Sequence, residues 1–370
     1  MNINKVELFK LNIPLKTPFH ISLGTITNAT NLVVRLHTTE GIYGIGEACP
    51  YSYIVGETQE TEFELAKKIA PLLIGKNPLA IEQRLQDLNK AVAANPTLKS
   101  AFDMALFDLL GKTARMPLYA LWGGENNRKI VTDMTVGIDT PQTMAQQAQT
   151  FVAEGFDMIK VKLGTNFKDD TNRIIAIRQA IGNEIELKID ANQGWDTPTA
   201  IRTLRALAPH NIAYCEEPVP RWNNEALRFV RQNSPIPIMA DESVFSPQDA
   251  FKIASMQAAD YINIKLSKSG GLQQALQIVS VAQAAGIQTQ VGCMSESRLA
   301  LTALVHLAMA RQNIIFFDLD SALMLSEDPV IGGITYQNGG QISLPNLNGI
   351  GADIDDSYLQ KMEKWELKNF

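Results

Sequence analysis

From Glu186 to Ser243 the chain reads ELKIDANQGWDTPTAIRTLRALAPHNIAYCEEPVPRWNNEALRFVRQNSPIPIMADES. A short apolar run ends in a carboxylate, a turn and a helical segment follow, and the cycle repeats. The runs end at Asp190, Glu216 and Asp241. Roughly 25 residues separate one end from the next, the length of one strand plus one crossover helix in a parallel β/α protein.

The same alternation extends in both directions. Candidate strands are DMTVGI, MIKVKL, ELKID, IAYCEE, IPIMAD, YINIKL, IQTQVG and IIFFDLD, with helical patterns such as 168–181, 197–208 and 270–285 between them. Eight strands of this kind close a parallel barrel. No helix is evident after the last strand, so the expected fold class is α/β, a modified (β/α)8 barrel of (β/α)7β type over residues 126–321. Residues 1–125 read differently, as an α+β capping domain. Strand patterns at 3–13, 31–38 and 42–48, with Glu40-Gly41 as a hairpin turn, precede helical patterns at 59–73, 78–93 and 97–114. After Asp320 the chain turns Gly-, Asn- and Pro-rich, and the tail 322–370 is expected to return to the capping domain and complete it.

Composition narrows the partners. The 370 residues are 45% hydrophobic and carry a net charge of −6, enough apolar material for a large core and the wrong sign for a polyanion partner. No basic tract suggests nucleic acid and no apolar run is long enough to cross a membrane. The opening MNINKVELFKLNI lacks the layout of a secretory leader, so a cytoplasmic location is expected. Cys49, Cys215 and Cys293 are too few and scattered for a disulfide framework or zinc cluster. The expected partner is a small molecule, and the chain is compatible with a homo-oligomer.

Side-chain period and strand order then imply a site. Asp190, Glu216 and Asp241 close three consecutive strands about 4.8 Å apart, so their carboxylates can converge on one hard cation. Magnesium suits an all-oxygen set, and the lack of clustered His or Cys disfavours zinc. Lys160 and Lys162 share one side of strand two, and Lys265 ends strand six, across the barrel from it. Two lysines facing one carbon from opposite sides suit removal of a proton on one face and its return on the other, which inverts a stereocentre. A lysine base needs a lowered pKa, which a neighbouring lysine and a cation both favour. Singly, each residue has a structural reading, the lysines as ion-pair partners and the acids as helix caps. Their joint order favours chemistry.

AFDMALFDLLGKTARMPLYALWGG, KVK, DAN, CEEP, ADES and NIKLSKSGG, in this order and over nearly the whole chain, resemble the enolase superfamily, specifically its muconate lactonizing enzyme subgroup. The resemblance implies Lys162 as the base, Lys160 as its modulator, Lys265 as the opposite-face lysine, and Asp190, Glu216 and Asp241 as magnesium ligands. Lys268 would be a helper at most, and Asn192 would orient the metal shell. Glu217 and Glu242 are expected to form structural ion pairs. Asp318 and Asp320 in DLD resemble the DxD motif of dipeptide epimerases, whose two carboxylates hold the ammonium of a dipeptide. Ser295 and Glu296 in GCMSESRL also resemble that family. The implied reaction is epimerisation of a dipeptide at its C-terminal residue. In that family the segment KTPFHISLGTITNAT forms a loop over the substrate side chain. Here it carries no Arg or Lys from Phe19 to Thr30, whereas Phe19 and Ile21 are apolar; Ile54 and Met294 are further candidates for the pocket wall. A small or hydrophobic second residue is therefore expected, with Lys16 the nearest cation that could reverse this. The alternatives are an L-Ala-D/L-Glu epimerase proper, an N-acylamino acid racemase, a muconate-type cycloisomerase, a Schiff-base aldolase on Lys162 or Lys265, and a binding protein without activity.

Overall fold

A computed structural model describes residues 1–368. Eight parallel strands lie side by side in sequence order: Met134–Val136, Met158–Lys162, Glu186–Asp190, Ile212–Glu216, Ile238–Ala240, Tyr261–Ile264, Gln288–Gly292 and Ile314–Asp318. Their helices pack outside, and the expected barrel is borne out, including the missing last helix. The eighth strand is followed only by the four-residue helix Ser321–Met324. Between the eighth strand and the first, side chains replace a backbone ladder. Leu319 N donates to Thr132 Oγ1 at 2.8 Å and Thr135 N to Asp320 Oδ2 at 2.8 Å. Inside, Lys188 and Asp133 form a fully buried pair at 3.0 Å.

The N-terminal sheet is antiparallel, with strands Ile3–Ile21, Gly24–Thr38 and Tyr43–Ala48 and the C-terminal strand Lys364–Lys368 against the first. Gly44 and Gly46 let this sheet sit on the helix Pro96–Ala114, because a Cβ on either would stand 2.0 Å from a helix carbonyl. The tail is also pinned by Arg35, which reaches Asp353 at 2.7 Å and Asp356 at 2.6 Å. Asp103 of the same helix accepts from Leu272 N at 2.5 Å and Gln273 N at 3.2 Å. It thereby caps the barrel helix that follows strand six.

The segment expected to be a loop over the site is instead a continuous hairpin. Phe19 pairs with Ile26 and Ile21 with Gly24 across it. The apolar pair Phe19–Ile26 carries the ladder past the bulge between Pro14 and Phe19, and the alternation is interrupted in the sequence by Pro14 and Pro18. The tip docks on the barrel through Ser22 Oγ, which donates to the carbonyls of Ala191 and Asn192 at 3.1 Å each.

Candidate active site

Parallel register sets Lys162 opposite Asp190 and Asp190 opposite Glu216, with Asp241 two residues past the partner of Glu216. All three acids and Lys160 and Lys265 are buried. Lys162 Nζ donates to Asp190 Oδ2 at 2.6 Å and to Asn192 Oδ1 at 3.1 Å. Lys265 Nζ donates to Asp241 Oδ2 at 2.8 Å. Lys160 Nζ lies between Glu216 Oε2 at 2.9 Å and Asp318 Oδ2 at 2.7 Å, so it joins the carboxylate trio to the DLD strand. Burial works against the charged form of Lys160 and Lys265. Asp318, Glu216 and Asp190 around the first, and Asp241 and Glu216 around the second, outweigh it and hold both well above the ordinary lysine value. For Lys265 this is opposite to what a base requires, and it follows from the charge of the adjacent carboxylates.

The trio fits a hard divalent ion. Its donors are all oxygen, and Glu216, pushed up to about 7 by burial and by Asp190, is a carboxyl short of positive charge. Asp241 Oδ1 stands 2.5 Å from Lys268 Nζ, yet no donor is aligned with it, and the buried Asn263 Oδ1 is also unpartnered. Lys268 itself is held behind Asp241 by the carbonyls of Val244 and Asn263 at 3.2 and 3.1 Å, a bracing position away from the cavities around Lys162. A tighter cluster lies at the barrel seam, where Cys293 Sγ and carboxylate oxygens of Asp318 and Asp320 fall within 4.8 Å of one another. Lys160 and Thr135 N already serve one oxygen of each acid. Asp320 is nevertheless pushed up to about 6 by burial and by Asp318.

Two cavities meet here. One, of about 260 Å³, is lined by Lys162, Lys265, Asn192, Ile21, Ile26 and Ile54. The other, of about 40 Å³, is lined by Asp318, Asp320, Lys160, Lys162, Thr135 and Cys293. Phe19, Cys293, Met294 and Ser295, like Lys162, line both. Lys16 faces neither; its ammonium donates to Leu323 O at 2.8 Å.

Three expectations need correction. Glu296 lines neither cavity; it is buried and turns back to accept from Ser267 Oγ at 3.2 Å and Met294 N at 2.5 Å, which braces its own turn. Among the described residues Glu217 has no cation partner, and it accepts instead from Asp241 N at 2.7 Å and Ser243 N at 3.2 Å. Glu242 accepts from Asn192 Nδ2 at 3.1 Å. The lysines nearby are already engaged by the trio, so backbone and amide groups serve these two acids. Sequence reasoning also missed Thr135 and Cys293. Both sit at barrel strand ends beside the DLD strand, the signal that would have found them. Arg298, in the same GCMSESRL stretch as Ser295, is bound to Asp328 at 2.5 Å and not to the DLD acids.

Comparison with known proteins gives matches over nearly all of the chain. The model described as mandelate racemase / muconate lactonizing enzyme, N-terminal domain, matches residues 3–123, and that described as enolase C-terminal domain-like matches 143–358. The D-Ala-D/L-Ala epimerase of Cytophaga hutchinsonii is 45% identical over 98% of this chain and 99% of its own. The hydrophobic dipeptide epimerase of Enterococcus faecalis is 41% identical over 95% of this chain and 99% of its own. The crystal structure of the Cytophaga hutchinsonii dipeptide epimerase, complexed with Mg and D-Ala-L-Val, superposes with a TM-score of 0.98 over 100% of both chains at 45% identity.

Proposed function

The chain belongs to the mandelate racemase / muconate lactonizing enzyme family of the enolase superfamily, and we propose that it is a magnesium-dependent dipeptide epimerase that inverts the α-carbon of the C-terminal residue. The observation that carries this reading is the pairing of two features in adjoining cavities. Lys162 and Lys265, from strands four places apart in the ring, line one space, and the paired acids Asp318 and Asp320 line the next.

The acids receive the dipeptide's ammonium, because two buried carboxylates share too little positive charge without it. With the amine anchored there, the C-terminal α-carbon lies between the lysines. One lysine, as the neutral amine, takes the α-proton; the C–H electron pair moves into the carboxylate as enolate charge. The opposite lysine, as the ammonium, returns a proton to the other face, and the roles exchange for the reverse direction. Asp190, Glu216 and Asp241 would hold magnesium, which when bound supplies fixed positive charge that offsets these acids and stabilises negative charge developing on the substrate carboxylate. Asn192 holds Lys162 in line, and Lys160 ties the two subsites together.

Ile21, Ile26 and Ile54 on the larger cavity wall, with Lys16 turned away, support a small or hydrophobic second residue over glutamate. The DLD pair speaks against N-acylamino acids and muconate-type substrates, which bring no ammonium. Three buried free thiols support a reducing, cytoplasmic setting.

The test is proton exchange. A library of dipeptides in both configurations is incubated with enzyme and magnesium in deuterated water, and α-deuterium is read by mass spectrometry. Incorporation confined to C-terminal residues and abolished by chelator is expected. Exchange that survives chelation, or is absent from every dipeptide, would overturn the reading.

A further inference from the structure

A third cavity, of about 660 Å³, lies between the hairpin arm, the first barrel strand and the tail. It adjoins the small ammonium pocket across Phe19, Thr135 and Met324, which line both. Among the described residues only Phe19 lines all three cavities. The spaces therefore run in series, with the ammonium pocket in the middle. Its volume of about 40 Å³ holds a group only a few atoms across.

Resting on the dipeptide reading, we propose that this third cavity receives the side chain of the dipeptide's first residue, and that the enzyme accepts large apolar residues there. The amine is fixed between Asp318 and Asp320, and the second residue fills the lysine-lined cavity. The first α-carbon then sits over the small pocket, which has no room for a side chain beyond a methyl. The way out past Phe19 and Met324 leads to a space whose apolar wall is Met134, Phe151, Phe156 and Leu323, with Lys16, Asp139 and Glu154 also lining it. Burial of an aromatic ring against such a wall is favourable. Selection is accordingly broad at the first residue.

The experiment compares kcat/KM for C-terminal exchange in Ala-Ala, Leu-Ala and Phe-Ala, with both configurations of the first residue. The wild-type enzyme is expected to take Phe-Ala within about tenfold of Ala-Ala. Leu323→Trp fills the third cavity without touching the other two. It should lower Phe-Ala at least thirtyfold and leave Ala-Ala within about threefold. Ile138→Trp, at another residue that lines only this cavity of the three, should do the same if Leu323→Trp fails to fold. A wild-type preference for Ala-Ala above a hundredfold, or equal loss of both substrates in a folded filling variant, would overturn the assignment. Absence of exchange in Ala-Ala as well would overturn the dipeptide reading, and the assignment with it.

Discussion

Lys162 and Lys265 are held differently, one by Asp190 and Asn192, the other by Asp241 at 2.8 Å with Glu216 at 3.9 Å. If they act on opposite faces, removing either abolishes epimerisation but not all exchange. Lys162→Ala and Lys265→Ala should each lose about 10³-fold in epimerisation, and each should retain α-deuterium exchange in only one epimer, opposite in the two variants. Exchange lost from both epimers in both variants would refute a two-sided site. Asp320 gives a second prediction. Loss of one charged contact to an ammonium costs about 2 kcal/mol, or roughly thirtyfold in kcat/KM. Asp320→Asn should show that loss with the free dipeptide and narrow its advantage over the N-acetylated one; an unchanged ratio would remove Asp320 from amine recognition. The lysines and the trio were legible in sequence because strand ends recur at fixed spacing and each points by parity. Glu296 was misread because adjacency to Ser295 says nothing about a turn that folds its side chain inward.

The hairpin Ile3–Ile21 and Gly24–Thr38 shapes the second-residue cavity more than any barrel strand does, since Phe19, Ile21 and Ile26 all come from it. It was read as a loop because Pro14 and Pro18 interrupt the alternation, and only cross-strand pairing reveals the continued ladder. The barrel strands were legible because buried parallel strands are short, apolar and evenly spaced. Specificity at the second residue should therefore be portable by single changes on the hairpin. Ile26→Arg places a cation on the cavity wall, and Ala-Glu exchange should rise at least tenfold relative to Ala-Leu. No change in that ratio would show that the second side chain points elsewhere, toward Ile54 and Tyr51.

The N-terminal part, the barrel and the tail meet at His306, inside the barrel helix Arg298–Ala310. Its Nε2 lies 2.9 Å from Ile350 O in the tail, and its Nδ1 lies 3.3 Å from Tyr119 N in the N-terminal part. A carbonyl on one side and an N–H on the other require the neutral Nε2–H tautomer. Burial lowers the imidazole from its ordinary value of 6.5 to about 4. The folded value is depressed, so the unfolded chain binds the proton first. The contribution is fully present above pH 6.5 and is lost as pH falls toward 4, a total of about 3 kcal/mol. Below 4 both states are protonated and this slope ends. His306→Gln keeps an acceptor for Tyr119 and a donor for Ile350 but cannot titrate. Urea unfolding at pH 7, 6, 5 and 4.5 should give wild-type stability falling more steeply than that of the variant, with the two curves parallel above pH 7. Parallel curves throughout would mean that His306 does not carry the acid sensitivity; Asp103 at the barrel-helix cap, which burial pushes up to about 7, works in the opposite sense, because the folded state binds its proton first and gains stability as pH falls from 7.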